Sequence, residues 1–234
     1  MSEFRPGSFQ MIPPVIKNLV IINGLVWLAE MTLGSNISEW MFNMFALHDV
    51  HSQFFRPHQL VTYLFLHDNH NIQHILYNMF ALWMFGSVLE NYWGGKRFLT
   101  FYMISGIGAA IAHLAVLYHE TAPIWEAAQQ YIPEDRVAYM ASQGVDGATV
   151  GASGAIFGCL AAFGYLFPNQ YIYLYFFVPI KVKWFVLGYA AIELFSGVNP
   201  TAGDSVAHWA HLGGGLVGLL LVIYWNRTNR RNFY

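Results

Sequence analysis

Apolar residues form long, nearly uninterrupted stretches along this chain, and charged residues gather between them. A helix needs about 20 mainly apolar residues to cross the hydrocarbon core of a bilayer. Six stretches reach or approach this length, and the pattern predicts an all-α membrane protein that forms a six-transmembrane-helix bundle. The predicted spans are about Ile12–Leu33, Ile72–Tyr92, Phe98–Tyr118, Thr149–Phe167, Lys183–Val198 and Val206–Trp225.

Three connecting segments are predicted to carry structure of their own. The first outer loop, about Gly34–Asn71, contains the apolar run Trp40–Phe45 and is expected to lie in the membrane interface. The loop His119–Ala148 predicts one or two short amphipathic helices around Pro133. The apolar segment Tyr171–Ile180 is too short to cross and suits a re-entrant or interfacial connector, or a short strand.

Composition and charge agree with this topology. Hydrophobic residues make up 56% of the chain and charged residues only 10%, against about 25% charge in a typical soluble domain. With both termini in the cytoplasm, nine of the eleven basic residues fall on the cytoplasmic side, as the positive-inside rule expects. The net charge of −2 carries no information about nucleic acid, and because no basic cluster suggests a nucleic-acid partner, none is expected. No sequence feature indicates an oligomeric state.

One membrane domain accounts for most of the chain. We expect residues 1–11 to form a short cytoplasmic segment, residues 12–226 the six-helix domain, and residues 227–234 a cytoplasmic tail. No internal repeat divides the domain. We expect a multi-pass protein of a bacterial inner membrane.

Three polar side chains fall at a similar depth in this topology. His74 is two residues into the second span, Ser153 four into the fourth and His211 five into the sixth, each counted from the outer end. At a rise of about 1.5 Å per residue they lie within about one helical turn of each other. Polar groups inside a membrane are costly and usually mark function.

The glycines around these residues indicate which helices meet. Small residues flank the two candidate groups: Gly151, Gly154 and Gly158 beside Ser153, and Gly214 and Gly218 beside His211. Such spacing lets two helix backbones approach closely. We therefore expect the imidazole of His211 to lie near the hydroxyl of Ser153, as a general base lies near its nucleophile.

The remaining parts of such a site can be assigned by depth. Glu193 is expected nearer the middle of the fifth span and Asp204 in an outer loop, so a Ser–His dyad is favoured over a triad. Phe157, one turn below the serine, is expected to stack on the imidazole.

We expect the backbone N–H of Ser153 to stabilise an oxyanion, with help from the side chains of His74 and Asn78, which share one helix face.

With these residues the chain resembles the rhomboid intramembrane serine proteases. The similarity extends from about residue 55 to about residue 222, and its motifs occur in the family's order. The matching stretches are Gly151–Gly154, His74–Asn78, Ala210–His211 with Gly214 and Gly218, Arg56–His67, and Glu90 with Gly95–Arg97.

The resemblance implies a six-helix serine endopeptidase with a Ser153–His211 dyad and an acyl-enzyme intermediate. It implies an oxyanion site at His74, Asn78 and the Ser153 amide, and no metal or organic cofactor. Its implied substrates are transmembrane helices, cut near their outer end within the lipid bilayer. His58 departs from a tryptophan found in many members, and Phe157 from a tyrosine found in some.

Two other classes of protein remain as alternatives. Histidine spacing permits a metal site, and hence a metal transporter or metallohydrolase; the residues concerned are His67, His70, His74, His208 and His211. No carboxylate is expected to join them, and His67 and His70 are expected to be hydrogen-bonding residues. A catalytically inactive relative that only binds transmembrane helices would be expected to lack the serine or the histidine.

Substrate access suggests two further elements. The short fifth helix is predicted to act as a lateral gate beside the second, and the loop Asn199–Asp204 is predicted to cap the site.

Overall fold

Helices dominate the computed structural model, which describes residues 9–174, 177–199 and 206–228. Both ends of the chain and most of the predicted capping loop lie outside these ranges. The α-helices are α1 (Pro14–Thr32), α2 (Ser35–Phe45), α3 (Gln59–Thr62), α4 (Ile72–Ala81), α5 (Ser87–Trp93), α6 (Gly95–Ala128), α7 (Pro133–Ser142), α8 (Ser153–Leu166), α9 (Val182–Val198) and α10 (His208–Thr228). A 3₁₀ turn, Tyr63–Phe65, follows α3, and a π-helical turn, Leu82–Gly86, joins α4 to α5.

The prediction of an all-α membrane protein is confirmed. Four of the described helical segments are long and apolar enough to cross a membrane: α1, the continuous segment Ile72–Trp93, α6 and α10. Helix α8 is apolar but has only 14 residues, and α9 has 17. The count of six spans therefore stays a prediction.

Two predicted boundaries are wrong. Helix α6 continues ten residues beyond Tyr118 to Ala128. Its 34 residues span about 51 Å, more than a hydrocarbon core of about 30 Å, so its end projects beyond the membrane. Helix α8 begins at Ser153, not at Thr149, because Ala148–Thr149 pairs as strand β2 with strand β1, Leu47–His48.

This strand pair attaches the first outer loop to the segment before Ser153. The buried side chain of Gln59 holds the loop together: its amide nitrogen donates to the carbonyl of Phe54, and its oxygen accepts from the His48 and Arg56 amides. The loop also contains the predicted interfacial segment, which forms α2 and exposes Trp40. The first loop is thus a folded part of the domain.

The connector between α8 and α9 is a hairpin. Strands β3 (Tyr171–Leu174) and β4 (Val178–Lys181) pair antiparallel. The strand interpretation of Tyr171–Ile180 is therefore correct.

Helix α10 lies at the centre of the bundle, in contact with α6 along one side and α8 along another. The core beside it contains fully buried aromatic residues from the 3₁₀ turn and α6: Tyr63, Phe98, Phe101 and Tyr102. The contact between α10 and α8 places the N-terminal ends of these two helices side by side.

Candidate active site

Helices α8 and α10 touch through glycine backbones. A Cβ added to Gly214 would overlap the Gly154 carbonyl oxygen and lie 2.7 Å from its carbon. A Cβ added to Gly218 would lie 2.6 Å from the Gly158 Cα. The predicted close approach at these four glycines is therefore present.

The approach joins Ser153 and His211. The Ser153 hydroxyl lies 2.8 Å from His211 Nε2, within hydrogen-bond distance. Phe157, one turn further along α8, stacks on the imidazole with ring centroids 4.3 Å apart and planes within 5°. Both pairings agree with the sequence prediction, and they fix the plane of the imidazole ring.

The expectation that no acid reaches this depth is wrong. Glu193 Oε2 lies 3.0 Å from His211 Nδ1 and 2.6 Å from His208 Nδ1. Helix α9 ends at Val198, so Glu193 is five residues, or about 7.5 Å, from that end. His211 is three residues, or about 4.5 Å, into α10, and the length of a glutamate side chain covers the difference.

His74 lies on the opposite side of the serine, beside Gly151. The Asp68 amide donates to His74 Nδ1 across 3.2 Å, so in the neutral ring the proton is on Nε2. That Nε2 faces Gly151, where an added Cβ would lie 2.9 Å from it and 3.8 Å from Ser153 Oγ. Gly151 has φ +121°, a conformation that other residues rarely adopt. The turn thus brings an N–H donor beside the serine.

Asn78 also lines the site, but one of its amide hydrogens already forms a hydrogen bond. Its amide nitrogen donates to the His74 carbonyl across 2.8 Å, and its side-chain oxygen has no hydrogen-bond partner among the described residues. This bond leaves one of the two amide hydrogens available for another acceptor.

The predicted histidine cluster divides into separate environments. His67 is buried against His74, and neither of its ring nitrogens has a hydrogen-bond partner in the described ranges. The expected hydrogen-bonding role of His67 therefore stays a prediction. Burial is the main cause that lowers the pKa of His67 to about 3, and the neighbouring His74 is the second cause.

A carboxylate does join the other histidine pair, which the sequence did not indicate. Glu193, His208 and His211 offer three potential metal-ligand atoms within 4.8 Å of one another. Tetrahedral zinc ligands at 2.0–2.1 Å from the ion lie about 3.3 Å apart. The separation of 2.6 Å between Glu193 and His208 is instead typical of a hydrogen bond.

A cavity of about 1450 Å³ opens beside these side chains. Ser153, His211, His74 and Asn78 line it together with residues of α4 and α9. A helical membrane protein with a serine–imidazole pair in a cavity between its helices is the class that this fold and site define.

The chain belongs to the rhomboid family. The family model described as Rhomboid domain matches residues 51–227, which include every candidate site residue. Rhomboid protein 1, mitochondrial, of Saccharomyces cerevisiae is 31% identical over 63% of this chain and 36% of its own length. RHOMBOID-like protein 1 of Arabidopsis thaliana is 32% identical over 70% of this chain and 33% of its own length.

Bacterial relatives are also similar. Rhomboid protease AarA of Providencia stuartii is 29% identical over 68% of this chain and 53% of its own length. The chain thus spans about a third to a half of these relatives. Organellar and bacterial proteins both match, so the bacterial inner membrane stays a prediction, as does the orientation of the termini.

Proposed function

We propose that the protein is an intramembrane serine endopeptidase that cleaves transmembrane helices near their outer end. The hydrogen bond between Ser153 Oγ and His211 Nε2, inside a cavity between helices, is the observation that carries the proposal. The names of bacterial relatives that match this chain, including Rhomboid protease AarA, support the same activity.

In the proposed reaction His211 Nε2 takes the Ser153 proton while Oγ attacks the scissile carbonyl. The developing oxyanion is stabilised by the Ser153 amide, which is at the start of a helix, and by His74 Nε2–H. The free amide hydrogen of Asn78 is a third donor for this oxyanion. His211 then protonates the leaving amine, and water hydrolyses the acyl-enzyme by the same route.

The position of the cavity supports lateral entry of the substrate between α4 and α9. Both helices contribute aromatic residues to its wall: Tyr77 and Phe80 from α4, and Phe185 and Tyr189 from α9. A substrate helix must unwind before attack, and a free backbone N–H in lipid costs several kcal/mol. Residues with low helix propensity at the cleavage point, such as glycine, reduce the cost of unwinding.

Labelling with a serine-directed fluorophosphonate tests the nucleophile. Wild-type protein in detergent is expected to label, and Ser153→Ala to lose the label. Ser87→Ala is the matched control, because it removes the hydroxyl of a serine in another apolar helical segment, Ile72–Trp93, where Ser87 is buried. Labelling that survives Ser153→Ala would overturn the assignment.

Cleavage of a model transmembrane substrate tests the base. His211→Ala is expected to stop cleavage, and cleavage that persists would remove His211 from the mechanism. A cross-link between α4 and α9 that leaves cleavage unchanged would contradict the lateral gate.

A further inference from the structure

We propose that Glu193 is a positioning residue for His211, so that this chain acts through a Ser153–His211–Glu193 triad. The inference deepens the proposed protease function and rests on it. It concerns a residue that the sequence motifs do not include and that a dyad does not need.

The first argument concerns which ring nitrogen of His211 carries the proton. An ionised carboxylate only accepts hydrogen bonds, so at 3.0 Å from Glu193 Oε2 the Nδ1 atom of His211 carries a proton. A neutral imidazole has one proton, which leaves Nε2 free to accept from Ser153 at 2.8 Å. Glu193 thus selects the tautomer that a general base requires.

The second argument concerns rotation of the ring. Stacking on Phe157 fixes the plane of the imidazole but not its orientation within that plane. A half-turn about the Cβ–Cγ bond preserves the stack and exchanges the two ring edges. The hydrogen bond to Glu193 favours the orientation that directs Nε2 at Ser153, so Phe157 and Glu193 restrict different motions.

The third argument is that the carboxylate is itself held. Its Oε2 also lies 2.6 Å from Nδ1 of His208, which is one turn before His211 on α10. The Glu193 side chain is only 5% exposed. A buried carboxylate in a membrane helix is costly without such partners. Glu193 therefore links α9 to α10 at a fixed point beside the imidazolium that forms when His211 takes a proton.

Glu193→Gln tests the proposal with little change in shape. We expect kcat to fall by roughly 10²–10⁴-fold, because the amide presents a donor as readily as an acceptor and no longer imposes one tautomer. KM is expected to stay within about twofold, because glutamine keeps the size and shape of the glutamate side chain that lines the cavity. A role limited to holding α9 against α10 would instead change KM, the unfolding transition, or both.

Two further variants keep the test decisive. Glu193→Asp retains the charge but withdraws the carboxylate by about one C–C bond, so we expect an intermediate kcat; this variant replaces Glu193→Gln if the latter does not fold. Glu126→Gln makes the same chemical change at an exposed glutamate at the far end of α6, and wild-type kcat is expected.

The outcomes separate this proposal from the function on which it rests. If Ser153→Ala is inactive and Glu193→Gln keeps kcat within about threefold of wild type, the triad is overturned and the protease remains. If Ser153→Ala still cleaves, the protease itself is overturned. Loss of wild-type activity on treatment with a zinc chelator would indicate that Glu193, His208 and His211 bind a metal ion. This result would also overturn the triad.

Discussion

The contact between Gly154 and Gly214 supports the whole candidate site, and a single methyl group tests it. Gly214→Ala would put a Cβ 2.7 Å from the Gly154 carbonyl carbon, and this Cβ would overlap the carbonyl oxygen itself. Ordinary contacts between such atoms are about 3.5–4.0 Å. Both sides of the contact are backbone, so no side chain can rotate away. The helices must therefore separate by about 1 Å.

The expected cost has two parts. Overpacking of this kind destabilises by about 3 kcal/mol at its upper end, and alanine regains about 1 kcal/mol of helix propensity over glycine, which leaves about 2 kcal/mol of net destabilisation. The Ser153–His211 hydrogen bond connects the same two helices, and a displacement of about 1 Å costs about 10²-fold in rate. The activity of Gly214→Ala should therefore fall by more than the loss of folded protein explains.

Gly215→Ala is the matched control on the next residue of α10. Its Cβ would have one neighbour within 4 Å in the described structure, the Phe157 carbonyl oxygen at 3.8 Å. This variant is expected to be up to about 1 kcal/mol more stable than wild type. Unfolding in mixed micelles measures stability, and fluorophosphonate labelling measures the site. Equal stability and labelling of the two variants would refute the inferred helix contact.

Three other variants test separate parts of the fold. Burial lowers the pKa of His67 to about 3. Below pH 6.5 the folded protein therefore binds fewer protons than the unfolded chain, and its unfolding free energy decreases as the pH falls. The loss between neutral pH and pH 5 is about 2 kcal/mol. His67→Phe should flatten this loss in unfolding curves at pH 7.5 and 5, whereas the exposed-site variant His70→Phe should not; equal slopes in both would contradict the reasoning. Glu90 accepts the two amides of Val15 and Ile16 at 2.9 Å each at the start of α1, so Glu90→Ala should lower unfolding free energy by about 3 kcal/mol, and an unchanged transition would exclude the cap. Phe157→Leu should lower kcat with little change in unfolding, and an unchanged kcat would show that stacking does not orient the imidazole.

The parts of the site that the sequence predicts share one property, which is that spacing along a helix determines them. The intervals between Gly154 and Gly158, and between His211, Gly214 and Gly218, fix which side chains share a face. Together with topology, these intervals are sufficient to bring Ser153 to His211. The location of Phe157 one turn below the serine follows in the same way.

The contact of Glu193 does not follow from spacing within one helix, because it depends on how far the glutamate side chain reaches from α9 towards α10. The predicted bounds of the fifth span agree with α9 to one residue, but they do not show that Glu193, five residues before Val198, can contact the start of α10. The spacing of its partner His208 indicates only a possible metal ligand. One signal was available in the sequence: a lone glutamate in an apolar segment requires a buried partner.

The polar cluster and the glycine contacts are energetically connected. Glu193, His208 and His211 bring ionisable groups into helices whose surroundings are apolar, which opposes folding unless each group has a partner. The partners are on two different helices, so the cluster is satisfied only when α9 and α10 are correctly aligned. Helix α10 is in turn aligned with α8 by backbone contacts that tolerate no added atom. The geometry that orients His211 is thus imposed by the same rigid contacts that stabilise the centre of the bundle, and a variant that loosens α10 should disturb the imidazole before it unfolds the protein.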